Sequence, residues 1–342
     1  MKAIEFTRPE VITMIDLPDP PAPGLGEALV RTHRMGICGT DLSGYLGKMP
    51  FFSYPRIPGH ELGLEIVAVG EGVDNIQVGD KCSLEPYVND PTTPTSRKGH
   101  SNCCPGVQVL GVHTDGGLRP EWICPAHKLH PGNSLSYDQL ALVETLAIGY
   151  HAVIRSDPQP GQTVLVIGAG PIGLAVLEFL RLHDIRIIVM DMVESRLQFC
   201  HEKLGIDHTI VFNPEGFHLT DLEGITDGEL ADIVIDATGS VKSMSTCFEY
   251  AAFTGRVIYV GITTETLSFP HAPVFHRREL TLLASRNALP ADFGKIIGLI
   301  AEDRIDTDIW ITDRLAFDDV PKEFAAFTDT GRGTVKAIIE LP

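Results

Sequence analysis

One short glycine-rich segment constrains the fold of this chain more than any other feature. Gly168-Ala169-Gly170-Pro171-Ile172-Gly173 directly follows the apolar run Val164–Ile167 and precedes a helix-like stretch. In such a strand–turn–helix unit, Gly168 permits the tight turn, Gly170 lets the backbone approach a pyrophosphate and Gly173 lets the helix pack on the strand. The N–H groups and positive dipole end of the helix N-terminus favour phosphate binding. The segment therefore predicts a dinucleotide site that includes Pro171 and Ile172.

An acidic residue at the end of the next predicted strand indicates which dinucleotide is bound. Asp191 lies 18 residues after Gly173, and a carboxylate there can accept hydrogen bonds from the adenosine ribose while repelling a 2′-phosphate. Met192 adds no positive charge, whereas Arg196 keeps NADP open as the less favoured alternative. We therefore expect NAD beside these three residues. Thr238 and Gly261 follow later strands at the carboxyl edge of the sheet, where we expect them to line the cofactor.

The residue pattern of the sequence changes near residue 150. Six short apolar runs alternate with helix-length segments between residues 151 and 285. Because such runs are typical of strands buried on both faces of a parallel sheet, they predict a doubly wound, six-stranded α/β unit. The runs are Val164–Ile167, Arg186–Met190, Thr209–Val211, Asp232–Ile235, Arg256–Val260 and Leu280–Ala284. The Gly- and Pro-rich segment before them predicts a twisted, mostly antiparallel β-domain. After them, Ala291–Glu302 and Asp318–Phe327 are expected to be helical and Val335–Glu340 to be a strand.

Composition narrows the partners and the compartment. The 342 residues include 27 Lys and Arg against 45 Asp and Glu, a net charge of −18. The chain lacks the basic footprint that binding to a phosphate backbone needs, so nucleic acid is not an expected partner. No apolar stretch reaches the about 20 residues of a membrane span, and the N-terminus MKAIEFTRPE lacks the apolar core of a signal peptide. Seven scattered cysteines indicate reduced thiols, and a cytoplasmic protein without membrane contact is expected.

Three separated groups in the first 150 residues could together hold a metal ion. Cys38 lies in a Gly-Ile-Cys-Gly-Thr-Asp segment, the pair His60-Glu61 follows Gly59, and Glu144 follows Val143. A thiolate, an imidazole and a carboxylate suit zinc, and three protein ligands leave a fourth position open, as a catalytic zinc requires. The residues alone leave an alternative open, since a lone Cys is often a small buried hydrophobe and a lone His a satisfied core residue.

The segments around Cys38 and His60, combined with the glycine turn, resemble the zinc-dependent medium-chain alcohol/polyol dehydrogenases. The resemblance runs nearly end to end. It implies an α/β protein with a GroES-like β-rich catalytic domain over residues 1–151 and 286–342, and a Rossmann NAD-binding domain over 152–285.

By the same resemblance, each of these polar residues has an expected role. Cys38, His60 and Glu144 would be the zinc ligands, with Glu144 where simple alcohol dehydrogenases use a Cys. Glu61 would lie beside the zinc and ligate it in some states. Asp41 would orient the ligand His60, and the hydroxyl of Thr40 would begin the proton relay. For Thr40, a hydroxyl that only caps local backbone stays an alternative.

The sequence departs from the family in one lobe. Many members hold a second, structural zinc with four cysteines spaced C-x2-C-x2-C-x7-C, but counting back from Cys104 gives Ser96, Thr93 and Asp90. Because neutral hydroxyls are poor zinc ligands, we expect one catalytic zinc per subunit and no structural zinc. Cys103 and Cys104 are then ordinary thiols, and no disulfide is expected between these neighbours.

Three further segments resemble the sugar-acid branch of the family, the L-galactonate oxidoreductase type. They are Pro50–Arg56, Gly111–Gly117 and Ser285–Ala288. The resemblance implies hydride transfer between NAD and a secondary alcohol of a polyol or an aldonate, whose carboxylate would need a cationic partner, best an arginine. The substrate candidates are Arg286 first, then Arg119 and Arg56, together with Asn287 and the aromatic residues Phe51, Phe52 and Trp122. Solvated or internally paired arginines stay an alternative, and for the aromatic residues a place in the apolar core is favoured.

Two other functions stay open at this stage. A zinc-free enone or quinone reductase of the same fold would lack the Cys and His ligands, and a non-catalytic NAD-binding protein would bind the cofactor without turnover. Assembly into a homodimer or homotetramer is implied by the family.

Overall fold

The computed structural model describes residues 1–213 and 218–342. The described residues form two compact units, residues 1–144 with 288–342 and residues 145–287. The strands are β1 (Lys2–Arg8), β2 (Val11–Asp16), β3 (Glu27–Gly36), β4 (Glu61–Val69), β5 (Lys81–Leu84), β6 (Tyr87–Val88), β7 (Gln108–Val109), β8 (Glu121–Pro125), β9 (Leu129–Pro131), β10 (Thr163–Ile167), β11 (Arg186–Asp191), β12 (His208–Val211), β13 (Ala231–Asp236), β14 (Ala251–Tyr259), β15 (Thr281–Ala284), β16 (Ile311–Ala316) and β17 (Lys336–Glu340). The α-helices are α1 (Gly39–Tyr45), α2 (Pro94–Arg97), α3 (Tyr137–Ser156), α4 (Pro171–Leu180), α5 (Glu194–Leu204), α6 (Leu219–Thr226), α7 (Val241–Thr246), α8 (Pro290–Ala301) and α9 (Val320–Glu323).

Residues 145–287 are built on a parallel sheet of six strands in the order β12-β11-β10-β13-β14-β15. Every residue of β10 is buried, as expected for a central strand covered on both faces. The order reverses beside β10, where β11 lies on one side and β13 on the other. Such a reversal opens a crevice at the carboxyl ends of the strands, the usual ligand position in these sheets. All six predicted runs are strands here.

The other unit contains a seven-stranded sheet in which β16, β17, β3, β4, β5 and β9 are neighbours in that order and β8 pairs with β3. All these pairs are antiparallel except β16 with β17. The apolar core of the unit includes Phe6, Leu64 and Trp122, and the Trp122 indole N–H donates to the Thr32 hydroxyl at 3.0 Å. The hydrogen bond satisfies the polar atom of a ring that is otherwise buried in apolar surroundings. β17 is the predicted final strand.

The structure divides the units at different positions from those the sequence predicted. The first division lies inside α3, after Glu144 rather than after residue 151, and the second follows Asn287 rather than residue 285. Gly149 explains the first difference, because a Cβ there would lie 2.4 Å from the Ala175 carbonyl carbon, so the second half of α3 packs closely on α4. A hydrogen bond from the Ser285 N–H to the Tyr259 carbonyl extends the sheet unit past β15.

Two further findings concern the whole described chain. No helix within it is long and apolar enough to cross a bilayer. All seven cysteines, Cys103 and Cys104 included, are free thiols.

Candidate functional site

Cys38 and Asp41 are held together by the start of α1. Cys38 is the N-cap, and its Sγ accepts a hydrogen bond from the Thr40 backbone N–H at 3.4 Å. Asp41 returns the contact, since its Oδ2 accepts from the Cys38 N–H at 2.9 Å. This reciprocal capping satisfies N–H groups that the helix itself leaves unpaired. It also fixes the position of the Cys38 sulfur at the edge of the unit's core.

His60 and Glu61 lie where the chain enters β4. Gly59 has a φ of +107°, a backbone conformation that favours glycine. Gly36 lies opposite Glu61 in the β3–β4 register, and a Cβ on Gly36 would lie 2.2 Å from Glu61 Oε2. The absence of a side chain at position 36 therefore makes room for the Glu61 carboxylate.

Cys38, His60 and Glu61 form a group of possible metal ligands. One donor atom from each lies within 4.8 Å of the donor atoms of the other two. His60 and Glu61 are 4% and 1% exposed. The half-buried Cys38 thiol, with a buried imidazole and a buried carboxylate at this separation, matches the donor types that zinc prefers.

Asp41 lies behind the imidazole of His60. Its Oδ1 is 3.6 Å from His60 Nδ1, and both atoms are buried without a hydrogen-bond partner. Burial acts to lower the pKa of His60, but the neighbouring Asp41, Cys38 and Glu144 outweigh it and hold that pKa well above its usual value. Burial also raises the pKa of Asp41, against the opposing effect of His60. A carboxylate behind a ligand imidazole is the arrangement that orients histidine toward metals.

Glu144, on α3, is held near this group by Tyr87, a residue that the sequence analysis missed. The hydroxyl of Tyr87 donates a hydrogen bond to Glu144 Oε1. Burial raises the pKa of Glu144, while the positive charge of His60 opposes that rise and the charge of Glu61 adds to it. Glu144 is therefore close enough to interact electrostatically with two of the three grouped residues, although it lies outside the group itself.

Lys336 is the second functional residue that the sequence analysis missed. Its Nζ donates to both carboxylate oxygens of Glu61, at 2.8 and 2.7 Å, and both side chains are 1–2% exposed. Burial acts to lower the pKa of Lys336, but Glu61 outweighs it and raises that pKa. The expected role of Glu61 as an occasional ligand must therefore compete with this ion pair.

The glycine turn has the geometry that its spacing predicts. Gly168 has a φ of +98°, and a Cβ on Gly173 would lie 1.7 Å from the Gly168 carbonyl oxygen. A Cβ on Gly170 would meet nothing within 4 Å, which leaves open space over the N-terminus of α4. Pro171 follows as the first helical residue, where its missing N–H costs nothing; Ile172 is half-buried.

Asp191 links the turn to the end of β11. Its Oδ2 accepts from the Ala169 N–H at 2.6 Å and its Oδ1 from the Val193 N–H at 2.8 Å. Arg196 lies 3.9 Å from Oδ2, and Met192 is 60% exposed. The carboxylate thus shapes the loop at the position where the ribose is expected.

Thr238 and Gly261 lie next to each other at the carboxyl ends of β13 and β14. A Cβ on Gly261 would lie 2.2 Å from the Gly239 nitrogen. The hydroxyl of Thr238 donates to Asp236 Oδ1 at 2.7 Å and accepts from the Ser240 N–H at 3.0 Å. That hydroxyl therefore stabilises the loop after β13, and Thr238 helps to shape the carboxyl edge of the sheet.

The arginine candidates for substrate binding differ in their surroundings. Arg56 is paired, with Nη1 2.9 Å from Asp115 Oδ1. Arg119 lies over the Trp122 ring, 5.3 Å from its centroid, and burial lowers its pKa. Arg286 is exposed and belongs to residues 145–287 rather than to the predicted catalytic segment 286–342.

The remaining substrate candidates are an amide and three aromatic residues. Asn287 also lies in the sheet unit, has a φ of +50°, and its Nδ2 is buried without a hydrogen-bond partner. Phe51 is 55% exposed and stacks on His113 with ring centroids 6.2 Å apart. Phe52 and Trp122 belong to the apolar core.

The lobe at residues 90–104 is held by hydrogen bonds. The Thr93 hydroxyl donates to Ser96 Oγ at 2.9 Å and lies 3.7 Å from the Cys104 sulfur. Cys104 Sγ in turn lies 3.9 Å from the Asp90 carbonyl oxygen. The four positions predicted from the family spacing do converge, and the expectation that they hold no zinc stays a prediction.

Comparisons with known proteins match two separate stretches of the chain. The alcohol dehydrogenase GroES-like domain family matches residues 24–134, and the zinc-binding dehydrogenase family matches residues 171–302. L-galactonate-5-dehydrogenase of Escherichia coli (strain K12) is 36% identical over 321 residues, 93% of this chain and 93% of that relative. The chain belongs to the zinc-type medium-chain alcohol dehydrogenase family.

Other members of this dehydrogenase family are similar over nearly the whole chain. The 2-dehydro-3-deoxy-L-galactonate 5-dehydrogenase of Pseudoalteromonas atlantica is 31% identical over 327 residues, 93% of each chain. The crystal structure of the alcohol dehydrogenase RspB from E. coli CFT073, complexed with NADH, has a TM-score of 0.91 at 27% identity and covers 99% of both chains. The predicted fold class, a GroES-like domain with a Rossmann sheet, is confirmed. The protein is an oxidoreductase of this family.

Proposed function

We propose that the protein is an NAD-dependent dehydrogenase that oxidises a secondary alcohol of a sugar acid at a zinc centre. The ligands are Cys38, His60 and Glu144, with Glu61 beside them. The observation that carries the proposal is the group formed by half-buried Cys38 with buried His60 and Glu61, whose donor atoms lie within 4.8 Å of one another. A zinc-free reductase of the same fold would lack the Cys and His members of this group.

The donor set and its surroundings fit zinc. Asp41 Oδ1 and His60 Nδ1 are both buried without a hydrogen-bond partner. This arrangement fits an imidazole that Asp41 orients and whose other nitrogen binds an ion. A bound Zn²⁺ would act as a Lewis acid that lowers the pKa of the substrate hydroxyl, and bound NAD⁺ would accept the hydride. The products are a ketone, NADH and one proton.

The chain's own residues position the reactants and remove the proton. Cys38 is fixed by the cap of α1, and Asp41 orients His60. The hydroxyl of Thr40, two residues after Cys38, is the first group of the proposed proton relay. Its backbone N–H, rather than its hydroxyl, makes the capping contact with Cys38, which supports a hydroxyl available for proton transfer.

Asp191 supports NAD as the cofactor. Its carboxylate is held at the end of β11 by two backbone N–H groups, next to the turn expected to bind the pyrophosphate. A negative charge fixed there favours ribose hydroxyls and disfavours a 2′-phosphate. Arg196, 3.9 Å away, is already close to this carboxylate and is partly neutralised by it.

The proposed substrate class rests on the names of two relatives and on one arginine side chain. The names of both relatives specify a 5-dehydrogenase of an L-galactonate compound. Arg286 is the arginine proposed to bind the substrate carboxylate, because it lies in the segment Ser285–Ala288 that resembles the sugar-acid branch.

The deciding experiment measures NADH formation with zinc-loaded enzyme and a matched panel of aldonates and neutral polyols. We expect aldonates, L-galactonate among them, to turn over with NAD⁺ in preference to NADP⁺, and Arg286→Ala to raise KM for aldonates alone. Preference for neutral polyols would contradict the sugar-acid assignment but leave the dehydrogenase assignment standing.

A protein that binds no zinc and stays inactive when zinc is added would favour the zinc-free reductase. NAD binding without turnover on any alcohol would favour a non-catalytic role. Assembly into two or four subunits and a cytoplasmic location stay predictions.

A further inference from the structure

We propose that Tyr87 is a positioning residue that holds the Glu144 carboxylate in the orientation required for metal binding. The inference rests on the proposed zinc centre and concerns how one of its ligands is held. No sequence pattern points to Tyr87, and the comparisons assign it no role.

Tyr87 is part of the metal region by contact and by charge. Its side chain is 3% exposed, and its hydroxyl donates to Glu144 Oε1. Burial holds the pKa of the Tyr87 phenol well above its usual value, and the neighbouring Glu144, Cys38 and Glu85 raise it further. The phenol therefore contacts one proposed ligand, Glu144, and lies near a second, Cys38.

The position of the ring is set independently of this hydrogen bond. Tyr87 begins β6, which pairs with β7, and its ring meets Phe293 edge-on, with centroids 6.4 Å apart. A Phe at position 87 could keep these apolar contacts. Burying a hydroxyl is unfavourable unless it is hydrogen-bonded. Among the described residues, the contact with Glu144 meets this requirement and explains the phenol.

The hydrogen bond restricts a side chain that would otherwise rotate. Glu144 projects from α3, and its flexible side chain must be ordered to place one oxygen on an ion. The contact from Tyr87 fixes the position of Oε1 and thereby restricts the rotation of the whole carboxylate. Groups that orient ligands in this way typically change metal affinity by about 10- to 100-fold when removed.

The test compares zinc affinities of Tyr87→Phe and wild-type full-length protein by competition with a chromophoric chelator. We expect Tyr87→Phe to bind zinc about 10- to 100-fold more weakly, and the visible spectrum of the Co²⁺-substituted protein to change as the carboxylate reorients. Tyr259→Phe is the matched control, because it removes a hydroxyl that donates to a backbone carbonyl, that of Met244, in the other unit. It should change neither the zinc affinity nor the Co²⁺ spectrum.

A double-mutant cycle separates an effect through Glu144 from a general loss of structure. If Tyr87 acts through Glu144, adding Tyr87→Phe to Glu144→Gln should weaken zinc binding no further. Unchanged zinc affinity and Co²⁺ spectrum in Tyr87→Phe would overturn the inference while leaving the zinc centre intact. Equal losses with and without the Glu144 carboxylate would also overturn it. A wild-type protein without zinc affinity would instead contradict the proposed function itself.

Discussion

At the scale of single residues, the described site depends on ion pairing between residues that are far apart in the sequence. Lys336 and Glu61 are 275 residues apart, yet their side chains form a buried, two-oxygen contact. Removing one partner of a buried ion pair typically costs about 3–5 kcal/mol, because the other charge is left without compensation.

Lys336→Met should therefore lower the free energy of unfolding of the metal-free protein by about 3–5 kcal/mol. The expected readout is a lower midpoint in urea denaturation. Adding Glu61→Gln to Lys336→Met should recover part of the loss, because the uncompensated charge is gone. The control is Lys2→Met, which removes an exposed pair with Asp16 and should have a much smaller effect. Equal midpoints for Lys336→Met and Lys2→Met would show that the buried pair does not stabilise the fold.

At the scale of elements, the strand pair β3–β4 determines where the Glu61 carboxylate can lie. Gly36 and Glu61 are register partners. Only a residue without a Cβ at position 36 leaves room for the Glu61 carboxylate. The helix cap at Cys38 and Asp41 has a similar function on the other side of the site. Each element thus gives a ligand its position through a local backbone feature.

Gly36→Ala should disturb the site through this close contact. The added Cβ would lie 2.2 Å from Glu61 Oε2, so the carboxylate must shift and its contact with Lys336 is disturbed. Overpacking of this kind costs about 1–3 kcal/mol, to be measured by thermal unfolding together with zinc content. Gly294→Ala, within α8 and with nothing within 4 Å of the added Cβ, should leave stability unchanged or raise it slightly. A Gly36→Ala protein as stable as Gly294→Ala would contradict this account.

The elements also show how far sequence reasoning reaches. The glycine turn and the six strands were predictable because their signals are local: spacing of glycines and unbroken apolar runs. Cys38, His60 and Glu61 were recognisable from short segments. Tyr87 and Lys336 were not, because their roles arise only from contacts 57 and 275 residues away in the chain. The division inside α3 was missed for a related reason, since the helix continues without a break.

At the scale of the whole molecule, the two candidate sites belong to different units. Cys38, His60, Glu61 and Glu144 lie in residues 1–144, whereas the glycine turn and Asp191 lie in residues 145–287. The loss of one site therefore need not abolish the other.

Removing the metal should abolish turnover without abolishing cofactor binding. Dialysis against a chelator, or Cys38→Ser, should eliminate activity while calorimetry still detects NADH binding. Asp191→Ala should do the reverse, weakening NADH binding while zinc content stays unchanged. Loss of NADH binding in the Cys38→Ser protein would show that the cofactor depends on residues outside 145–287.

The pairing of β17 with β3 also has a consequence for the order of events during translation. Glu61 emerges from the ribosome 275 residues before Lys336, which is roughly 14–55 s at typical synthesis rates of about 5–20 residues per second. Residues 145–287 are contiguous, so that unit can fold while the chain around it is incomplete. The metal-binding unit receives the counter-charge of Glu61 only when one of its last strands is made. Nascent chains stalled before residue 336 would therefore carry a folded cofactor unit and an immature metal site.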